Sequence, residues 1–255
     1  MKRLVVILGG KGGTGKTTFC RLLLDRLCSD KVNYLAFDAD TENPELYEYC
    51  KNLGTGVELL EFLEVSEAKR LFTQLRENSP DVAVLDMPGA SGRKTREIIS
   101  KFGLFKIATD LGYRVTLCTV LNLGYEVIAS LNVMREFCGD QVDYVIVKNL
   151  TWEKGKGFVR WEKSKTRNSI SDLKGTEIEM PELDTSAFDE VREHGLPFSM
   201  ATEENKFPYG DYLLVSSFLA RSYIELRKAA PYLGLPASDD SSQSQQKSKP
   251  EKKAA

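Results

Sequence analysis

The chain of 255 residues holds one histidine, His194, two tryptophans, and five cysteines with no C-x-x-C pair among them. A single histidine leaves no room for a His-rich metal centre or a conventional Ser–His nucleophile pair. The odd set Cys20, Cys28, Cys50, Cys118 and Cys138 argues against a disulfide framework and a zinc ribbon, and reads as small buried thiols. No apolar run approaches the ~20 residues of a membrane span, and the opening MKRLVVILGG becomes glycine-rich too soon for a secretory signal. A cytoplasmic protein without a membrane role is expected. From Ser238 to Ala255 no large apolar residue occurs, so a disordered polar tail is expected after one globular domain over residues 1–237. The tail also lacks the large apolar residues of an amphipathic membrane-binding helix.

What stands out instead is where glycine falls, with five of the 19 between residues 9 and 15. Leu4 to Leu8 (LVVIL) suits a strand buried on both faces, and Gly9, Gly10, Gly12, Gly13 and Gly15 follow at once. Phe19, Leu22, Leu23 and Leu27 then recur at helical spacing, giving strand, glycine loop and helix in succession. Within that context Gly10 to Thr17 match G-x-x-x-x-G-K-[ST], the phosphate-binding loop. Its backbone from Gly10 through Gly12, Gly13, Thr14, Gly15 and Thr18 is expected to aim N–H groups at a polyphosphate. Lys16 is placed to reach the β and γ phosphates, and the Thr17 hydroxyl to ligate Mg²⁺. The positive end of the helix beginning near Lys16 adds to the attraction.

A second lysine, Lys11, stands inside the glycine run. With it, GGKGGTGKTT resembles the deviant Walker A loop of the ParA/MinD ATPases. In that family the early lysine reaches a nucleotide phosphate, commonly across an ATP-sandwiched dimer, and the resemblance implies this role for Lys11.

Further along, Asn33 to Phe37 reads as a second strand ending in Asp38-Ala39-Asp40, whose carboxylates point to the C-terminal edge of a sheet, where open parallel sheets hold ligands. The resemblance makes this the first switch. Asp38 would assist Mg²⁺ and the loop, and Asp40 would orient the attacking water beside the metal. Read without the family, the same residues form an Asp-rich turn capping a helix that starts near Pro44. Glu58 to Asn78 reads as mostly helical. Asp81 to Asp86 is a third strand leading into Met87-Pro88-Gly89. It occupies the Walker B position, with Asp86 on Mg²⁺ through water and the Gly89 amide as γ-phosphate sensor.

A helix is expected over Arg93 to Gly103, a strand over Arg114 to Val120, a helix over Gly124 to Cys138, and a strand over Val142 to Val147. That last strand runs into Lys148-Asn149. Asn149 is the purine-binding candidate by resemblance, or else an asparagine in an ordinary turn. Thr176 to Met180 supplies another strand, followed by Met180-Pro181-Glu182-Leu183 and a helix from Thr185 to His194. The segment resembles the I-P-E-D stretch that packs over the adenine ring in MinD-like proteins, with Leu183 in place of the acid. A closing helix spans Leu213 to Ala229. Alternating strands and helices predict an α/β fold with a doubly wound, mostly parallel sheet flanked by helices.

Residues 151–175 stand apart as an insertion, with seven lysines and arginines against Glu153, Glu162 and Asp172, plus Trp152, Phe158 and Trp161. Three readings fit: nucleic-acid binding by charge and stacking, an insertion docked by its aromatic residues, or a protein interface. Trp161, Ser164 and Arg167 form W-x-x-S-x-x-R, which also resembles the TraL/MobD/StbB-like ATPases of plasmid transfer and stability. The resemblances together imply an ATP- and Mg²⁺-dependent homodimer, slow and partner-stimulated, that positions, partitions or mobilises DNA or another large cargo. Non-specific DNA and an activating or adaptor protein would be its partners, and nucleoid association would follow. The rival is a ligase of the dethiobiotin synthetase or cobyrinate amidase type, which would need a second pocket for a carboxylate substrate.

Overall fold

A computed structural model describes residues 1–10, 12–202 and 207–237. Lys11 and the tail over 238–255 lie outside the described residues. The strands are β1 (Lys2–Leu8), β2 (Tyr34–Asp38), β3 (Glu58–Leu59), β4 (Val82–Asp86), β5 (Tyr113–Leu121), β6 (Asp143–Asn149) and β7 (Thr176–Met180). They form one sheet in the order β3-β2-β4-β1-β5-β6-β7, and every pairing is parallel. Strands buried on both faces read as continuous apolar runs, which is why VVIL, VAVL and YVIV mark the centre.

The helices are α1 (Lys16–Ser29), α2 (Glu45–Cys50), α3 (Val65–Asn78), α4 (Gly92–Phe102), α5 (Leu104–Asp110), α6 (Tyr125–Cys138), α7 (Val159–Glu162), α8 (Lys165–Asp172), α9 (Thr185–Glu193), α10 (Phe198–Ala201), α11 (Tyr209–Lys228) and α12 (Ala230–Leu233). Side chains alternate across β1, so Val5 and Ile7 join Phe19 and Leu23 of α1 and Phe218 of α11, while Leu4 and Val6 join Leu71, Ile98 and Ile128 on the other face. Both layers close over the sheet, the arrangement expected of a doubly wound α/β protein.

Two helix boundaries require correction. Residues 58–78 are mostly helical, as expected, but not from their start: Glu58 and Leu59 pair with Phe37 and Asp38 at the sheet edge. Leu60 and Phe62 bury beneath that edge, so the helix waits until Val65. The closing helix begins earlier, at Tyr209, and leaves Leu213, Leu214 and Ile224 exposed; Phe218, Leu219 and Leu226 carry its packing. After α11, Pro231 sits in the first turn of α12, where its missing N–H costs nothing.

Candidate functional site

Parallel strands bring their C-terminal ends to one edge, and the glycine loop leaves β1 there to open α1. Two glycines in it are obligatory. A side chain at Gly10 would put Cβ 2.7 Å from Ser130 Cβ, so only glycine lets the loop lie against α6. At Gly15 the backbone has φ +99°, and an added Cβ would lie 2.5 Å from Asn149 Nδ2 and 3.0 Å from Met180 Cε, so strain and crowding act together there. Lys16 is buried to its ammonium end in the turn, lying beside Gly9, where a Cβ would come within 3.0 Å of its Cδ.

Thr17 Oγ1 donates to Asp86 Oδ2 at 2.9 Å, which joins the end of the loop to the end of β4. Asp86 Oδ1 is buried with no hydrogen-bond partner among the described residues. Burial and the neighbouring Asp38 carboxylate push Asp86 up to about 7, and a cation beside it would reverse that shift. A hydroxyl beside a carboxylate with an uncommitted oxygen is the donor set Mg²⁺ takes when water and phosphate complete its shell. Among the described residues no cluster of three or more His, Cys, Asp or Glu is arranged to hold a metal by itself.

Asp38 has a different occupation. Its Oδ1 accepts from the Asp40 N–H and its Oδ2 from the Tyr47 N–H, each at 3.0 Å, so both oxygens tie down the turn into α2. Burial pushes it up to about 6 against these two hydrogen bonds. Its register partner on β4 is Asp86, so it shapes the metal end electrostatically from the next strand. The Asp-rich-turn reading therefore describes its contacts. Asp40 is half-buried and accepts from the Asn43 N–H at 3.3 Å. Gly89 lies in the turn after β4, where Ser91 Oγ donates to the Pro88 carbonyl at 2.8 Å.

From the loop a cleft of about 390 Å³ runs across Asn149, Trp152, Met180, Pro181 and Leu183 to Phe188 and Phe218. Gly13, Gly15, Lys16, Thr17 and Thr18 wall its polar end. Asn149, at the end of β6, joins the two ends: its Nδ2 donates to the Thr14 carbonyl at 2.9 Å and its Oδ1 accepts from the Thr151 N–H at 3.1 Å. Its amide is thus engaged on both sides, holding the phosphate loop in place.

Comparisons with known proteins accord with this geometry. No family model matches the chain. Protein MobD of Acidithiobacillus ferrooxidans is 24% identical over 207 residues, covering 80% of this chain and 88% of that protein. The septum site-determining protein MinD with Mg-ADP from Pyrococcus horikoshii OT3 superposes with a TM-score of 0.51 at 15% identity, covering 91% of this chain and 99% of that one. The chain has the fold of the ParA/MinD-type P-loop NTPases. McdA in its apo form from Cyanthece gives a TM-score of 0.50 at 15% identity, covering 88% of this chain and all of the other, 100%.

On this ParA/MinD-type frame, the structure brings together Gly13, Gly15, Lys16, Thr17, Thr18, Asn149, Met180 and Pro181 around one cleft, with Asp86 bonded to Thr17. Leu183 closes the segment whose resemblance pointed to this end of the cleft, whereas Trp152, Phe188 and Phe218 were not singled out for it by sequence. Trp152 had a signal, standing three residues beyond Asn149; the other two carry none. Within residues 151–175, which hold α7 and α8 and cross from β6 to its parallel neighbour β7, Trp161 and Phe158 dock onto the core. Ser164 Oγ caps α8 through the Arg167 N–H at 3.1 Å, and Arg167 Nε pairs with Glu177 at 2.7 Å. The W-x-x-S-x-x-R residues thus serve docking and capping. Among the described residues no helix is long and apolar enough to cross a membrane.

Proposed function

We propose that this chain is a Mg²⁺-dependent ATPase working as a dimerising switch of the ParA type, for partition, positioning or conjugative mobilisation of plasmid DNA or another large cargo. The observation that carries it is the bond from Thr17 to Asp86 beneath a complete phosphate loop. That arrangement positions a hard cation between protein oxygens and a polyphosphate. The relative MobD, matched over most of its length, supports the branch of the family chosen.

In this reading, backbone amides of Gly12, Gly13 and Gly15 with Lys16 hold the phosphates, and Thr17 and Asp86 hold Mg²⁺, which supplies charge neutralisation at the transferring phosphoryl group. Asp40 orients water, the Gly89 amide senses the γ-phosphate, and Met180 and Pro181 face the base. Lys11 contributes its charge at the phosphates, as the deviant loop implies. Turnover is slow until a partner protein or DNA engages the ATP-bound dimer, and the protein is cytoplasmic.

The test is the oligomeric mass of the Asp40→Ala form with ADP and then with ATP and Mg²⁺, followed alongside duplex-DNA binding across a salt series. ATP-dependent dimers and a steep salt slope are expected. Monomers in every nucleotide state, with fast unstimulated turnover by the unaltered protein, would overturn the switch and favour the ligase.

A further inference from the structure

A second cleft, of about 330 Å³, opens between the end of β5 and the 156–161 segment. Leu123, Ile128, Phe158 and Trp161 provide its apolar wall, and Lys156 and Arg160 its cationic lining. None of these residues borders the nucleotide cleft. The volume lies within the range of small-molecule sites.

Its polar groups are of one kind. Asn122 Oδ1 is spent on the Gly124 N–H at 2.8 Å, leaving its amide NH₂ as a donor. Arg160 gives one N–H to the Leu123 carbonyl at 3.1 Å, and neither it nor Lys156 enters an ion pair among the described residues. Uncommitted donors, two of them cationic, beside an apolar wall call for an acceptor that carries negative charge on an apolar body.

We propose that this cleft binds a small amphipathic carboxylate, its head taken by the planar Arg160 fork and Lys156, and its body laid against Leu123, Ile128, Phe158 and the Trp161 ring. The site stands independently of the nucleotide reading, since the two share no residue.

Because the chain has two tryptophans, the test is the indole N–H region of a ¹⁵N spectrum of the full chain, with Trp152→Phe assigning the Trp161 signal. Octanoate is the probe. Octan-1-ol supplies the body without charge, and inorganic phosphate supplies charge without the body. A saturable shift of the indole proton of Trp161, whose ring borders the cleft, is expected with octanoate. Both controls, and Arg160→Gln, should bind about tenfold more weakly or worse, as loss of one charge-assisted contact implies. Lys156→Gln, at an exposed position outside the packing, should weaken octanoate in the same direction. No saturable shift, an equal response to octan-1-ol or to phosphate, or undiminished binding by both variants would overturn the proposal.

Discussion

Residues 9–18 deliver the phosphate end of the cleft from one continuous stretch, whereas the other end gathers Asn149, Trp152, Met180, Leu183, Phe188 and Phe218 from β6 through α11. The difference lies in what each end must do. Aiming several N–H groups at one ligand requires particular backbone angles at fixed offsets, so glycine positions and a lysine write the function into the chain. An apolar wall requires only shape and area, which many residue types supply. Asn149 is where the two constructions meet, bonded to Thr14 of the loop and to Thr151 beside Trp152.

The sharpest contrast across that divide is between the two tryptophans, nine positions apart in number yet 43% exposed at Trp152 and 1% at Trp161. Trp161→Ala should lose about 3–5 kcal/mol of stability through the cavity it leaves, read by urea unfolding, with nucleotide affinity little changed in the fraction that stays folded. A loss below about 1 kcal/mol would mean the insertion is not docked through this side chain.

Asn149→Ala tests whether the ends are coupled. It leaves the buried Thr14 carbonyl without its donor, a cost of about 1–3 kcal/mol, and should weaken nucleotide binding because the loop loses its brace. Asn149→Asp keeps the acceptor for Thr151 but cannot donate to Thr14, so it should behave like the alanine form. Unchanged nucleotide affinity in both would show that loop and apolar wall act separately.

At the metal end the comparison turns on charge. Asp86 is pushed up to about 7 by burial and the Asp38 carboxylate, and Asp38 up to about 6 by burial and the Asp40 carboxylate, above the ordinary carboxylate value near ~4. Between those values the folded state holds protons that the unfolded chain has released, so stability falls as pH rises from about 4 to about 7 in Mg²⁺-free buffer. Asp25, also pushed up to about 6 by burial, contributes equally to both proteins compared. Asp86→Asn should therefore flatten the profile and gain on the order of 2 kcal/mol at pH 8, measured by urea unfolding at several pH values. Parallel profiles would show that Asp86 is not the strained acid.

The parallel sheet and the loop were legible because parallel central strands demand unbroken apolar runs and the loop demands glycine; the order of the strands, set by pairing across the sheet, was not. A switch role for Asp38 rests on the family resemblance alone, whereas its two backbone bonds follow the older rule for Asp in turns. The stretch 58–64 misled because Leu59, Leu60, Phe62 and Leu63 fit a helical face as well as an edge. Tertiary pairing with β2, which no local pattern records, decided it. Basic residues around Phe158 and Trp161 left three readings open; the two aromatics are buried while Lys154, Lys156, Arg160 and Lys163 are exposed, a division that composition alone does not reveal.

The smallest expected effect completes the contrast. Trp152 belongs to the cleft's apolar wall while remaining 43% exposed, so Trp152→Ala removes surface that a bound base would cover but little that the folded protein already covers. Stability should change by less than about 0.5 kcal/mol, as at surface sites generally. ATP affinity should fall by about fivefold, the scale of one aromatic contact, in a binding titration against the unaltered protein. Triphosphate without a base should bind both forms equally, because its contacts lie with the loop. If the triphosphate loses affinity as much as ATP does, Trp152 acts on the loop through Thr151 and Asn149, and the apolar end of the cleft is a support for the phosphate end instead of a surface for the base.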